Sequence, residues 1–385
     1  MELDWLRILL ILGVFLHHVG MPFNGDDWIV MNSESSTFLD DVMVYFEQFR
    51  LPTLFLIAGV GANILLGKKR AGAFAADKVK RLLIPLFVGI LLVNPPQIYL
   101  QDPSEHGSLL GAYPTLALRF ETLHLWFVEY LFVFSLLAVP MFVALNSRAG
   151  ARFMAVFRLV AGQWWGLLSL GLVLAAARVI LKLRFPTDDH AIENLSSSVF
   201  YLFFFTMGML LSRNPEIWRS MGRNWRSNAI AFILVSSVFY LYYFMDFGAY
   251  ASDATLWSIW WAVCSVLAWS AAICLLSLGQ RFLTTSPRWL SKVNTLIYPF
   301  YILHQTAIVV CAFHIVKWDA GIGIKLVALL ASSLSITVFL CLAVIRPFDA
   351  MRFLFGLKPK SATRPASQGG PGMDRRHRQA DPEGR

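Results

Sequence analysis

Residues 1–20 read MELDWLRILLILGVFLHHVG, an apolar run of membrane-span length with Asp4 and Arg7 at its start and His17-His18 near its far end. Ionisable groups inside such a run are expensive, so each is a functional hypothesis by default. Arg7 and His18 are eleven residues apart. That is about three helical turns, which puts both on one face roughly 16 Å apart along the axis. Ile11 and Val14 lie on that face between them, and Asp4 lies one turn below Arg7. His17 is rotated by about 100° from its neighbour. A site on this helix therefore includes His18 and need not include His17.

The same apolar grain continues outward. Apolar residues make up 57% of the chain and charged ones 15%, with a mean hydropathy of +0.59, which is the profile of a polytopic membrane protein. Ten apolar runs are legible, so we expect an all-α, polytopic transmembrane helix bundle of about ten spans. The expected limits are Trp5–Phe23, Leu51–Gly67, Leu82–Leu100, His124–Leu145, Trp164–Leu183, Val199–Ser212, Ala229–Phe247, Leu256–Leu278, Thr295–His314 and Ile322–Ile345. An amphipathic stretch through Phe46-Glu47-Gln48-Phe49-Arg50 precedes the second, and Asn94-Pro95-Pro96-Gln97 should interrupt the third near its outer end. Residues 1–357 read as one membrane domain. Residues 358–385, rich in Pro, Gly and charge, read as a disordered basic tail whose arginines suit anionic headgroups or solvent equally well.

A net charge of +9 is compatible with nucleic-acid binding, but its distribution argues for topology instead. Lys and Arg crowd alternate loops: Lys68 to Arg81, Arg148 to Arg158, Arg213 to Arg226, Arg281 to Lys292 and the tail. The opposite loops hold few bases and several acids, such as Asp26, Asp27 and Asp246. The positive-inside rule then places both termini in the cytoplasm. The short n-region is acidic and no small-x-small site follows, so the first helix is expected to stay uncleaved. Cys264, Cys274, Cys311 and Cys341 lie inside apolar runs without metal-ligand spacing and read as small core residues. No Walker A loop, G-x-S-x-G elbow, H-E-x-x-H or metal cluster is present, so no metal and no permanently bound cofactor is expected.

Several residues can carry chemistry. A neutral imidazole at His18 can accept a proton from a hydroxyl near neutral pH, or simply hydrogen-bond across helices. Lys78 and Arg81 are one turn apart at the head of the third span and suit a phosphorylated ligand, although the basic loop around them also serves topology. Glu129, within LWFVEYL, needs a partner or a wet cavity, and Arg7, Arg50 and the histidines are the available partners. His304, within YPFYILHQ and beside Gln305, is open to structural hydrogen bonding or site membership; Pro299 below it can kink the helix. His124 beside Trp126 reads as interfacial, and Arg178 beside Lys182 and Arg184 reads as a snorkelling side chain.

Taken in order, these segments resemble the acyltransferase-3 family of integral membrane O-acyltransferases, in particular the branch with glucan-modifying succinyltransferases. The likeness runs from Leu3 to about Leu357. Arg7 and His18 meet the family's Arg-x10-His motif, and FRLPTLFLIAG from Phe49 resembles its second-helix opening, with Ala58 where the family usually has Ser. KVKRLLIP resembles R-x-x-R-x-x-x-P, with Lys78 at the first Arg, and the segments holding Glu129 and His304 are also similar to family segments. The resemblance implies transfer of an acetyl or succinyl-type group from cytoplasmic acyl-CoA, a co-substrate, to a hydroxyl of a cell-envelope carbohydrate. It implies catalytic roles for His18, Arg7 and Glu129, and binding roles for Lys78, Arg81, His304 and Arg50. The expected partners are acyl-CoA, a glycan acceptor and the bilayer of a bacterial inner membrane, with no nucleic acid. A competing class is a transporter or flippase, since buried charge and Pro-broken helices also mark substrate pathways.

Overall fold

The structure is a computed structural model and describes residues 1–163, 165–187 and 190–360. Among the described residues every regular element is helical. Helices satisfy their own backbone polar groups, as a hydrocarbon solvent requires. In chain order they are α1 (Glu2–Gly20), α2 (Thr37–Leu66), α3 (Ala71–Gln101), α4 (Leu109–Ala117), α5 (Trp126–Leu145), α6 (Arg148–Ala161) and α7 (Gly166–Lys182). There follow α8 (Leu195–Ser212), α9 (Pro215–Arg223), α10 (Trp225–Phe244), α11 (Asp253–Phe282), α12 (Arg288–Ile315), α13 (Ile322–Ile345) and α14 (Asp349–Leu354).

Among the described residues 9 of these runs are long and apolar enough to cross a membrane, and up to 10 if the bent pair α6 and α7 forms one broken span. The expected fifth span is the source of that difference. Its helix α7 has 17 residues. At about 1.5 Å per residue that reaches about 25 Å, the lower limit for crossing a hydrocarbon core of about 30 Å.

Two other expectations change. The second helix begins at Thr37, so the amphipathic stretch and the span are one helix of 30 residues that runs through Pro52. Its own Thr53 hydroxyl donates to the Phe49 carbonyl at 2.7 Å beside that proline. In α3, Asn94 keeps a helical backbone (φ −75, ψ −35) and the helix restarts at Pro95. A proline in the first turn costs no hydrogen bond, so the interruption shrinks to a joint. Two π turns, Val79–Leu83 and Gly89–Val93, lie in the same helix. The expected tail falls, from residue 361 on, outside the described residues.

The core sits where α1, α2, α8, α11 and α12 meet, while α10 faces outward along most of its length. Small residues let α2 and α8 approach closely. A Cβ on Gly59 would lie 1.9 Å from the Phe205 carbonyl oxygen, and one on Gly208 would lie 2.0 Å from that of Leu56. Helices α1 and α12 run parallel, joined by Arg7 to Asn294 at one end and His18 to His304 at the other. This pairing positions the site.

Candidate active site

The first-helix face predicted from spacing meets a matching face on α12. At one end Arg7 NH1 donates to Asn294 Oδ1 at 3.2 Å and lies 3.5 Å from Asp4 Oδ1. Asn294 Nδ2 donates to the same Asp4 oxygen at 2.7 Å, which closes a three-residue cluster. About three turns further along both helices, His18 Nδ1 is 2.8 Å from His304 Nε2.

The hydrogen-bond pattern assigns the tautomers. His304 Nδ1 is 2.5 Å from the Tyr301 carbonyl oxygen, so that nitrogen carries the proton and donates. In neutral His304, Nε2 is then an acceptor, and His18 Nδ1–H donates to it. His18 Nε2 is left with its lone pair, and no partner for it occurs among the described residues. His18 lines a cavity of ≈ 590 Å³, so the lone pair belongs to a ring that faces open space.

A third histidine completes the cluster. His124 packs edge-on to His304 with ring centroids 5.3 Å apart, and its Nε2 donates to the Ile302 carbonyl at 3.0 Å. The Tyr301 hydroxyl in turn donates to the His124 carbonyl, so the two histidine-bearing segments hold each other. Just before His124 the backbone is left-handed at Phe120 (φ 54) and Leu123 (φ 45), which is uncommon without glycine. Asn94 Nδ2 donates to the carbonyls of Glu121 (2.7 Å) and Thr122 (3.1 Å), clamping that loop. Among the described residues no group of histidine, cysteine or acidic side chains is arranged to hold a metal ion. Two of the three histidines spend a ring N–H on a carbonyl, which aims them at structure rather than at a shared cation.

The Pro-Pro joint of α3 supports the same centre. Gln305 Nε2 donates to Gln97 Oε1 at 2.9 Å, Gln97 Nε2 donates to Thr306 Oγ1 at 2.6 Å, and Thr306 donates on to the Val93 carbonyl at 2.8 Å. Gln305 faces the cavity, and Trp28 stacks on His18 with an 8° interplanar angle. Glu47, Gln48, Arg50, Arg178 and His190 supply the cavity's polar wall, and Trp126, Tyr201 and Trp260 its aromatic wall. Pockets of this size with a few placed polar groups are typical ligand sites.

Of the residues singled out in the sequence, the structure brings His18 and Arg50 to this cavity and sets His304, fully buried, behind His18 at 2.8 Å. Arg7 stands at the other end of the helix pair. Lys78 sits over the Phe74 ring at 5.2 Å, and Arg81 pairs with Asp77 at 3.0 Å, neither of them at the cavity. Glu129 is half-buried and is not one of the cavity's walls; among the described residues it forms no ion pair with Arg7, Arg50 or a histidine.

Three cavity residues were read otherwise. His17 lines the cavity beside His18 despite its rotation, because the cavity wraps around the end of α1. His124 is 5% exposed rather than interfacial. Arg178 turns inward, over the Phe200 ring at 4.1 Å, instead of snorkelling out. Its helix carries Lys182 and Arg184 nearby, and rotation about the axis, which decides inward from outward, leaves no mark in one sequence.

With this geometry in place, residues 2–346 match the family model described as "Acyltransferase domain". A "Glucans biosynthesis protein C" of Salmonella paratyphi A is 23% identical over 325 residues, covering 79% of this chain and 80% of its own. Its namesake in Salmonella paratyphi B is 24% identical over 316 residues with the same coverage of 79% and 80%. No solved structure matches the chain.

Proposed function

We propose a function from one premise: the chain belongs to the acyltransferase-3 family. It is an integral membrane acyltransferase, and its glucan-named relatives support a carbohydrate as the acceptor. In the finer reading it moves an acetyl or succinyl-type acyl group from cytoplasmic acyl-CoA to a hydroxyl of a cell-envelope carbohydrate. It does so in a bacterial inner membrane with both termini in the cytoplasm, a placement that rests on the loop charges.

The observation that carries the reading is the tautomer chain Tyr301 carbonyl, His304, His18. It leaves His18 Nε2 as a bare base in a polar, sugar-sized cavity. The acceptor hydroxyl gives its proton to this nitrogen as its oxygen attacks the thioester carbonyl. The carbon–sulfur bond then breaks, and the thiolate leaves as free CoA after taking the proton back. While His18 is protonated, its Nδ1–H still points at His304 Nε2, so the transient cation is met by an acceptor. His304 is the positioning residue for this step.

Arg7 stands about 16 Å from His18 along α1, too far to touch the reacting carbonyl. We assign it, with Lys78 and Arg81, to the phosphate end of the donor, with the donor's thiol arm spanning the distance. Arg50 serves the acceptor side. Glu129 keeps no assigned step.

The test is His18→Ala in native membranes, with expression measured in parallel. Acyl transfer should fall by about 10²- to 10⁴-fold, the usual worth of a general base. Undiminished transfer at normal expression removes His18 from the chemistry and the reading with it.

A further inference from the structure

Beside the histidine cavity lies a second space of different character. It is a groove of ≈ 480 Å³ whose walls are almost wholly hydrocarbon: Leu6, Leu9, Gly13 and Leu16 of α1, Phe46 of α2 and Leu330 of α13 among them. From Leu6 to Gly20 it follows α1 for about 21 Å, most of the thickness of a hydrocarbon core. Leu9 (49% exposed), Leu16 (55%) and Phe46 (52%) open it sideways. In a membrane that direction is the lipid. Gly13 lies midway, and a Cβ there would meet nothing within 4 Å, so the groove keeps its width at that point.

The groove adjoins the site. His17 and Arg50 line both spaces. Arg50 is 7% exposed, and its Nε and NH1 have no hydrogen-bond partner; His17 Nδ1 also lacks one. A buried guanidinium with unspent donors is costly unless something negative completes it. Across the cavity Arg178 Nε is unpartnered as well. Among the described residues Glu47 is the one carboxylate on the cavity wall, so two arginines share that wall with one acid and the surplus there is positive. Arginine's fork suits an oxyanion such as a phosphate.

Hydrocarbon groove, cationic junction and polar cavity follow one another in space. We propose that the acceptor is a lipid-linked carbohydrate. Its chain lies along α1 in the groove, its phosphate meets Arg50 at the junction, and its sugar enters the cavity where His18 Nε2 waits. A free glycan fills only the cavity, and an ordinary phospholipid fills only the groove and junction. This rests on the acyl-transfer reading for what happens to the sugar, but not for the binding itself.

The experiment uses the full chain in lipid nanodiscs and a synthetic probe, a hexosyl phosphate bearing a long alkyl chain with a diazirine near its middle. After illumination, labelled peptides are located by mass spectrometry. We expect labelling on α1 and α2 in the wild type and in His18→Ala, and at least a tenfold loss in Gly13→Leu, whose side chain occupies the groove. Leu16→Trp is a second blocking variant, and unfolding temperatures of both are recorded so that a misfolded protein is recognised. An excess of unlabelled hexosyl phosphate amphiphile should compete, and phosphatidic acid of the same chain length, which lacks the sugar, should compete at least tenfold more weakly. Equal competition by phosphatidic acid, equal labelling in both folded blocking variants, or no labelling of α1 and α2 overturns the proposal. Labelling that behaves as expected, with no acyl transfer from acyl-CoA to the probe, leaves the site standing and sinks the acyl-transfer reading instead.

Discussion

His18 Nδ1 lies 2.8 Å from His304 Nε2, and the second ring is fixed by its own N–H on the Tyr301 carbonyl. The pair is directional: His304 receives, and His18 is left basic on the cavity side. Replacing His304 by Phe keeps a ring but removes the acceptor. We expect kcat to fall by about 10²-fold with both KM values held within about twofold, because the loss is felt only when His18 charges. His304→Gln should recover part of the rate, since an amide oxygen can accept from His18 Nδ1. Steady-state kinetics in membranes decide it, and a KM effect without a kcat effect would make His304 a substrate contact.

The bare Nε2 of His18 is as able to attack a thioester as to accept a proton, so the order of events needs its own measurement. Direct attack by the acceptor predicts that acyl-CoA alone leaves no acyl group on the enzyme. Rapid-quench single-turnover labelling with radioactive acyl-CoA should show no protein-bound label before acceptor is added. A burst of label in the wild type that is absent from His18→Ala identifies an acyl-imidazole and replaces direct attack.

What the sequence made legible follows from what periodicity can carry. The shared face of Arg7 and His18 was readable because helical rotation is fixed by spacing within one helix. Which residues on other helices meet that face was not. Asn294, the partner of both Arg7 and Asp4, bears no charge and sits in a polar helix start, so nothing marked it. Gln97 was visible only as part of a Pro-Pro break, yet its amide links α3 to Gln305 and Thr306. The inward turn of Arg178 is a tertiary fact of the same kind. Spans were the easiest part, since a hydrocarbon solvent imposes length and apolarity on each, and the short α7 is where that rule blurred.

Arg7 offers a test of the donor end. Asn294 Nδ2 and Asp4 Oδ1 stay bonded at 2.7 Å without it, so Arg7→Gln should leave the helix pair in place. The expected result is a rise in KM for acyl-CoA of about tenfold, equivalent to about 1.4 kcal/mol of binding, with the acceptor KM unchanged. A fall in kcat at saturating donor, with KM unmoved, would instead place Arg7 in the chemical step.

The close approach of α2 and α8 ties stability to the cavity. At Gly59 a methyl group would fall 1.9 Å from the Phe205 carbonyl oxygen, a backbone atom that cannot rotate away, so Gly59→Ala must push the helices apart. Gly61 on the same helix meets nothing within 4 Å and provides the control. Overpacking usually costs about 1–3 kcal/mol, and a backbone contact belongs at the upper end or beyond. Close small-residue packing is also what holds helices together where lipid offers no hydrophobic drive. Because α2 carries Arg50 and α8 carries Phe200 and Tyr201, the same separation widens the cavity between its walls. Gly59→Ala should therefore lower the unfolding temperature in detergent micelles by several degrees and reduce acyl transfer at temperatures where it is still folded, while Gly61→Ala does neither. Equal behaviour of the two variants would show that α2 and α8 have room between them.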